Sequence, residues 1–137
     1  MKSFFIAYGR PIPKGRPRVT RYGTYTPKST QDYESSIRQA WGSAGAVRFP
    51  EHAPLQICVI AYLPIPKRTS KKMCGQLEGE YHIAARGDLD NIVKSVMDAL
   101  NGHAYQDDAV ICSIRAEKHY SGAPRTTVLI ADMEDTP

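Results

Sequence analysis

Between Leu55 and Leu63 apolar side chains recur at every second position. Leu55, Ile57, Val59, Ala61 and Leu63 share one side, with Cys58, Ile60 and Tyr62 on the other. That period of two predicts a strand buried on at least one face. Residues 3–8 (SFFIAY) are aromatic and branched and are bounded by Gly9 and Pro11, which predicts a first strand. Near the C-terminus, Val110, Cys112, Ile114 and Ala116 alternate with Ile111, Ser113, Arg115 and Glu117, and TTVLIADM follows the turn SGAPR. Residues 109–132 therefore read as a β-hairpin with a loop of about five residues.

Two stretches switch to the helical period. Tyr33, Ile37, Ala40 and Trp41 fall at i, i+4, i+7 and i+8, with Ser29 or Thr30 as N-cap and Asp32 and Glu34 in the first turn. Trp41 reads as core. Leu89, Val93, Val96, Met97 and Leu100 form a second stripe, stopped by Asn101-Gly102. The remaining long segments have neither period. Residues 10–28 are proline- and glycine-rich, with room for a small hairpin about Tyr22-Gly23. Residues 64–86 read as a mobile loop of about 20 residues, ordered by a partner. The predicted fold is α+β (mixed α/β): one domain over 1–137, with a small mixed sheet, two main helices packed on one face, and the order β-α-β-α-β-β.

Composition adds little to this picture until its distribution is considered. The chain has 137 residues and a formal net charge of +4. Residues 1–50 hold nine Lys/Arg against two acids, whereas residues 86–137 hold five against nine. A basic N-terminal third suits a polyanion such as DNA. Lys14, Arg16, Arg18, Arg21 and Lys28, interleaved with Tyr22 and Tyr25, suit phosphate contacts and stacking, and Lys67, Arg68, Lys71 and Lys72 form a second cationic cluster. The three cysteines, Cys58, Cys74 and Cys112, are widely spaced and odd in number, which disfavours a disulfide framework or a structural zinc site. The apolar N-terminal patch is too short for a secretory signal, and no apolar run approaches the ~20 residues of a membrane span. A cytoplasmic, reducing location with no membrane partner is the expectation.

The candidate chemistry lies between Arg86 and Asp108, which holds five of the fourteen acidic residues. Asp88 and Asp90 stand at the entrance of the second helix, Lys94 one turn beyond, and Asp107 and Asp108 after its end. Asp88, Asp90 and Asp108 brought together would repel one another unless a hard cation bound them, and oxygen-only ligands suit Mg²⁺. Lys94 could then face a scissile phosphate. This requires Asp108 to return to the N-terminal end of a helix roughly 20 Å long. His82 lies near this window in sequence and reads as a surface residue rather than a ligand. Each piece also has a plain reading: Asp88 or Asp90 as an N-cap, Asp90–Lys94–Asp98 as a surface ion-pair ladder, Asp107-Asp108 as turn residues.

The run Asp88-Leu89-Asp90-Asn91-x-x-Lys94, then Asp98-Ala99-Leu100-Asn101-Gly102, then Asp107-Asp108-Ala109-Val110 resembles the RusA-type Holliday junction resolvases, as does GRPIPKGRPR…YTPK in its phage and prophage branch. Gly87 departs from that pattern, which more often has a proline or a charged residue there. The resemblance implies that Asp88, Asp90 and Asp108 are Mg²⁺ ligands (Mn²⁺ being a possible substitute), Lys94 the catalytic lysine, Asn91 a supporting polar group and Asp107 a neighbouring or alternative ligand. It further implies a homodimer acting on branched DNA, with hydrolysis leaving 5′-phosphate and 3′-hydroxyl ends and no nucleotide cofactor. The sequence leaves two other readings: a non-catalytic basic DNA-binding protein whose carboxylates only cap and turn, and an enzyme acting on a small phosphoester. The second has no phosphate-binding glycine loop to support it.

Overall fold

A computed structural model describes residues 1–15, 18–84 and 87–134; the side chain of Arg18 is not described. In chain order the elements are β1 (Lys2–Tyr8), β2 (Arg18–Thr20), β3 (Gly23–Tyr25), α1 (Lys28–Ser43), β4 (Leu55–Pro64), α2 (Lys71–Leu77), α3 (Leu89–Leu100), a 3-10 turn (Asp108–Val110), β5 (Ile111–Ser121) and β6 (Arg125–Asp132). The predicted α+β class and the order of its main elements are borne out.

The main sheet has the order β1-β6-β4-β5. β4 is parallel to β5 and antiparallel to β6, which is antiparallel to β1. Strands β5 and β6 are thus not the expected hairpin, because β4 lies between them. Alternation fixes which face a side chain takes, not which strand lies next door. An apolar ten-residue strand such as β4 would leave a row of unpaired backbone groups if it stood at an edge.

Both long helices cover one face. Leu55, Ile57 and Val59 of β4 join Phe5, Val128, Ile130, Ile37, Val96 and Leu100 in a single buried cluster. Tyr33 of α1 is tied to β6 by a 2.6 Å hydrogen bond to Thr126, and its burial pushes the phenol up to about 12. The stripe on α3 is rotated from the expected one. Ile92, Ser95 and Ala99 are fully buried beside Val93, Val96 and Leu100, while Leu89 and Met97 are half-buried. Ser95 is accommodated in the core because its hydroxyl donates to the Ile12 carbonyl (3.1 Å).

Helix α1 begins without a side-chain cap, since its N-cap is Pro27. Thr30, one expected cap, is buried, and its hydroxyl oxygen accepts from Gly15 N–H (3.1 Å). Asp32 and Glu34 lie beyond the first turn, and Glu34 pairs with Lys14. The small hairpin is present as β2–β3, with Arg21 and Tyr22 at its tip.

The segment after β4 is built rather than structureless. Ser70 caps α2 by accepting from Met73 N–H. Residues 79–82 then run antiparallel to β5, with Gly79 N–H donating to the Tyr120 carbonyl, Tyr120 N–H to Glu80 and His82 N–H to Lys118. They extend the sheet edge that β5 would otherwise leave open. Residues 85 and 86, including Arg86 at the start of the acidic window, lie outside the described residues.

Candidate functional site

Helix α3 sets the spacing of the site. Its polar side carries Asp90, Lys94 and Asp98 one turn apart, and all three line a cavity of about 620 Å³ together with Asp108. The apolar part of the lining comes from Leu89, Val93 and Met97 of α3 and from Ile114 and Ala116 of β5.

Asp108 returns to α3 through the turn after it. Gly102 takes φ +80, a conformation glycine adopts without Cβ strain, and its N–H donates to the Tyr105 carbonyl (2.9 Å). Tyr105 then folds back, fully buried, and its hydroxyl donates to the Met97 carbonyl (2.7 Å). Burial pushes the Tyr105 phenol up, and the carboxylates of Asp108, Asp98 and Asp107 push it further, so it stays protonated at neutral pH. The turn that carries Asp108 back is thus pinned to α3 by a neutral hydrogen-bonded phenol. Sequence reasoning missed this residue; the signal was an aromatic three positions after Asn-Gly, where a plain turn would be polar.

The return is partial. Asp90 and Asp108 share the cavity, but Asp88 is not among its lining residues. Among the described residues, no three His, Cys, Asp or Glu side chains gather closely enough to hold one metal ion. The donor set is right for a hard cation, being carboxylate oxygens on one concave surface. The three-ligand cluster itself is not assembled in this structure.

The plain readings of the carboxylates fare unevenly. Asp88 is the N-cap residue of α3 but makes no side-chain capping bond, and Asp107 makes none at the 3-10 turn. Asp107 is approached by Asn101 Nδ2 at a long 3.5 Å. The ladder Asp90–Lys94–Asp98 is not formed. Asp98 instead binds Lys14 (3.2 Å), and Lys94 has no ion pair among the described residues. Asn91 contributes its carbonyl, which accepts from Lys14 N–H (2.9 Å).

Of the cations expected to contact DNA, Lys14 has ion-pair partners within the chain. Its ammonium is clamped between Glu34 of α1 and Asp98 of α3 at 3.1 and 3.2 Å, with the side chain 19% exposed. Burial lowers its pKa, but hydrogen bonds to both carboxylates more than offset this and the net shift is upward. Lys14 ties the two helices together. Arg21, Tyr22, Lys28, Lys67, Arg68, Lys71 and Lys72 are all exposed. Tyr22, at the hairpin tip, is 90% exposed with the Arg21 guanidinium 5.5 Å from its ring centre. Arg16 lies outside the described residues, and of Arg18 only the backbone is described. His82, expected at the surface, is buried.

Gly87, which departs from the family pattern, has a local explanation. Its φ is +97, and a Cβ there would sit 3.1 Å from Leu63 Cδ1. Only glycine combines that backbone with that approach.

The profile of the family described as "Endodeoxyribonuclease RusA" matches residues 8–131. The chain belongs to the RusA endodeoxyribonuclease family. It is also 30% identical over 135 residues to the "Uncharacterized protein YqaN" of Bacillus subtilis (strain 168), covering 94% of this chain and 95% of that protein. Membership of the RusA family implies a Holliday-junction-resolving endonuclease, which places the chain among nucleases acting on DNA. Among the described residues no helix is long and apolar enough to cross a membrane.

Proposed function

We propose that this RusA-family chain is a Mg²⁺-dependent endonuclease that nicks four-way DNA junctions as a homodimer. The observation that carries the reading is the convergence of Asp90, Lys94 and Asp108 on one cavity between α3 and β5. Asp88, Asp90 and Asp108 would hold the cation, with Mn²⁺ able to replace it and Asp107 as a neighbouring carboxylate. When bound, the cation supplies charge neutralisation for the phosphodiester and activation of a water. Lys94, an exposed ammonium with no ion pair among the described residues, faces the phosphate and stabilises the charge that develops as P–O3′ breaks. The products are a 5′-phosphate and a 3′-hydroxyl. Asn91 supports the start of α3.

The DNA grip is assigned to the β2–β3 hairpin, with Arg18, Arg21 and Tyr22, together with Arg16, Lys28, Lys67, Arg68, Lys71 and Lys72; Lys14 is left out. A twofold pair of copies matches the near-twofold symmetry of a junction and delivers two matched nicks. The bare carboxylates at Asp88 and Asp107 count against the alternative of a non-catalytic DNA-binding protein, which needs them as caps.

The test is Asp90→Asn assayed on synthetic four-way junctions. Nicking should fall by at least about 10²-fold, the scale on which losing one transition-state electrostatic contact acts, while junction binding is retained. Normal cleavage by the variant would overturn the site assignment. Binding without cleavage by the wild-type chain, in Mg²⁺ and in Mn²⁺, would favour the non-catalytic alternative.

A further inference from the structure

A second cavity, of about 380 Å³, lies at the end of β4, and its wall residue Leu63 is packed close to Gly87. Leu63, Pro64, Ile65 and Pro66 form an apolar wall; Arg10 and Lys67, both exposed, stand at its rim; His82 closes it. The His82 residue is 7% exposed, and its Nδ1 is the one buried side-chain nitrogen or oxygen among the described residues that has no hydrogen-bond partner. Its ring is fixed against Tyr120 (4.5 Å between centroids), and its backbone N–H is held by the Lys118 carbonyl. A fixed, buried and unsatisfied ring nitrogen is rare in a folded protein, and a bound water or a ligand group that reaches it would satisfy it.

The three features narrow the ligand. Two rim cations call for an anion. Two prolines beside leucine and isoleucine call for a flat apolar body. The orphan nitrogen calls for a hydrogen-bonding edge. Inorganic phosphate leaves the wall bare, and a purely apolar ligand leaves the cations unpaired. A nucleotide satisfies all three at once, and the volume lies in the range of about 300–1,000 Å³ usual for small-ligand sites. The location narrows it further. Leu63, part of the wall, sits 3.1 Å from where a Cβ on Gly87 would lie, and Gly87 immediately precedes Asp88. Lys118 Nζ reaches both the Ala84 carbonyl (3.5 Å) and the Gly87 carbonyl (3.3 Å), coupling the cavity wall to the entrance of α3.

We propose that this cavity receives one unpaired nucleotide of the DNA strand next to the bond that is cut. Its phosphate lies between Arg10 and Lys67, its base against the prolyl wall, and its hydrogen-bonding edge at His82 Nδ1. Taking a base out of the stack costs least where pairing is already broken, as at a branch point. The cavity thereby selects for branched over continuous duplex. The identity of the strand rests on the proposed nuclease function.

The experiment follows the His82 imidazole resonance by NMR in the cation-free full chain, assigned by its loss in His82→Phe. Three probes are added separately: inorganic phosphate, a deoxynucleoside monophosphate, and a four-way junction. A large shift with the junction, a smaller one at higher concentration with the monophosphate, and none with phosphate is the expected order. Equal response to phosphate alone makes this a simple anion site and overturns the role given to the base. A monophosphate that binds as tightly as the junction makes it an independent nucleotide site and overturns the strand assignment. No response to any probe overturns the proposal entirely.

In a second arm, 2-aminopurine flanking the cut position should brighten on binding to the wild-type chain. With Lys67→Ala, an exposed substitution that leaves the core intact, the change should shrink severalfold, and an unchanged signal argues against the site. Both arms run without a cation. A wild-type chain whose His82 responds to DNA but which never nicks it therefore sinks the proposed function and leaves this inference standing.

Discussion

The cavity between α3 and β5 and the cavity at the end of β4 are built on opposite plans. The larger is open and anionic, its Asp90, Lys94 and Asp98 delivered at one-turn intervals by a regular helix. The smaller is cationic and proline-walled, assembled from the Arg10 bend, the end of β4 and the chain after it. A helix gives carboxylates a fixed spacing, which a divalent cation requires. An irregular segment gives less fixed spacing but can enclose a ligand, as a pocket for a base requires. Under the proposed function, bond breaking falls to the first and strand selection to the second, and this division is tested by perturbing one cavity at a time.

The largest separation is expected from Lys94→Ala. Lys94 is exposed on the acidic side and is not among the residues that line the smaller cavity. Its loss should lower the single-turnover nicking rate by about 10²- to 10³-fold, with the Kd for a junction changed by less than about threefold. A variant that loses affinity instead, and keeps its rate on bound DNA, would show that Lys94 grips rather than catalyses.

Gly87→Ala attacks the junction of the two plans. The residue holds φ +97, and the new methyl group would press on Leu63 at 3.1 Å. Both effects act in the same direction, and together they should cost on the order of 1–3 kcal/mol. For a chain of this size that lowers the melting temperature by roughly 3–10 °C. Because Leu63 belongs to the smaller cavity and Asp88 follows Gly87, nicking and 2-aminopurine brightening should fall together. A loss confined to one of them would mean that the two cavities are not mechanically joined here.

The two regions also differ in how far the sequence discloses them. The acidic residues of α3 are legible because a period of 3.6 converts spacing directly into a common side, and β4 is legible for the same reason at a period of two. What was not legible depends on distant partners. Lys14 resembles any other cation of the basic loop until Glu34 and Asp98, 20 and 84 residues away, close on it. His82 reads as surface because its cover, Tyr120, arrives from the far end of β5. The seven residues of α2 contain Gly75, bury no side chain and show no stripe; a serine cap reveals the helix only once the fold is known. The placement of β4 between β5 and β6 is a choice of neighbour, on which alternation is silent. The partial return of Asp108 depends on Tyr105 packing under Met97, which no local pattern announces.

The smallest expected effect is a pH dependence that belongs to the cationic region alone. Burial holds the His82 pKa below its ordinary value, and the Lys118 ammonium lowers it further. Arg10 and Lys67, which line the same cavity, are of the same sign, and Tyr120 packs its ring against the imidazole. The neutral imidazole is therefore favoured in the folded state relative to the unfolded one. Its contribution to stability is fully present above the unfolded value of about 6.5 and is lost as pH falls through the depressed folded value. One proton can alter stability by at most about 1.4 kcal/mol per pH unit. Melting curves of the wild-type chain between pH 7.5 and 5, a range set by the ~6.5 reference, should fall more steeply than those of His82→Phe, which keeps the ring contact with Tyr120 and removes the titration. Junction binding should flatten the wild-type dependence, because a nucleotide phosphate between Arg10 and Lys67 offsets the charge that protonation adds. Parallel melting curves for the two proteins would mean that the His82 ring is solvated and that the smaller cavity is not the closed site its walls describe.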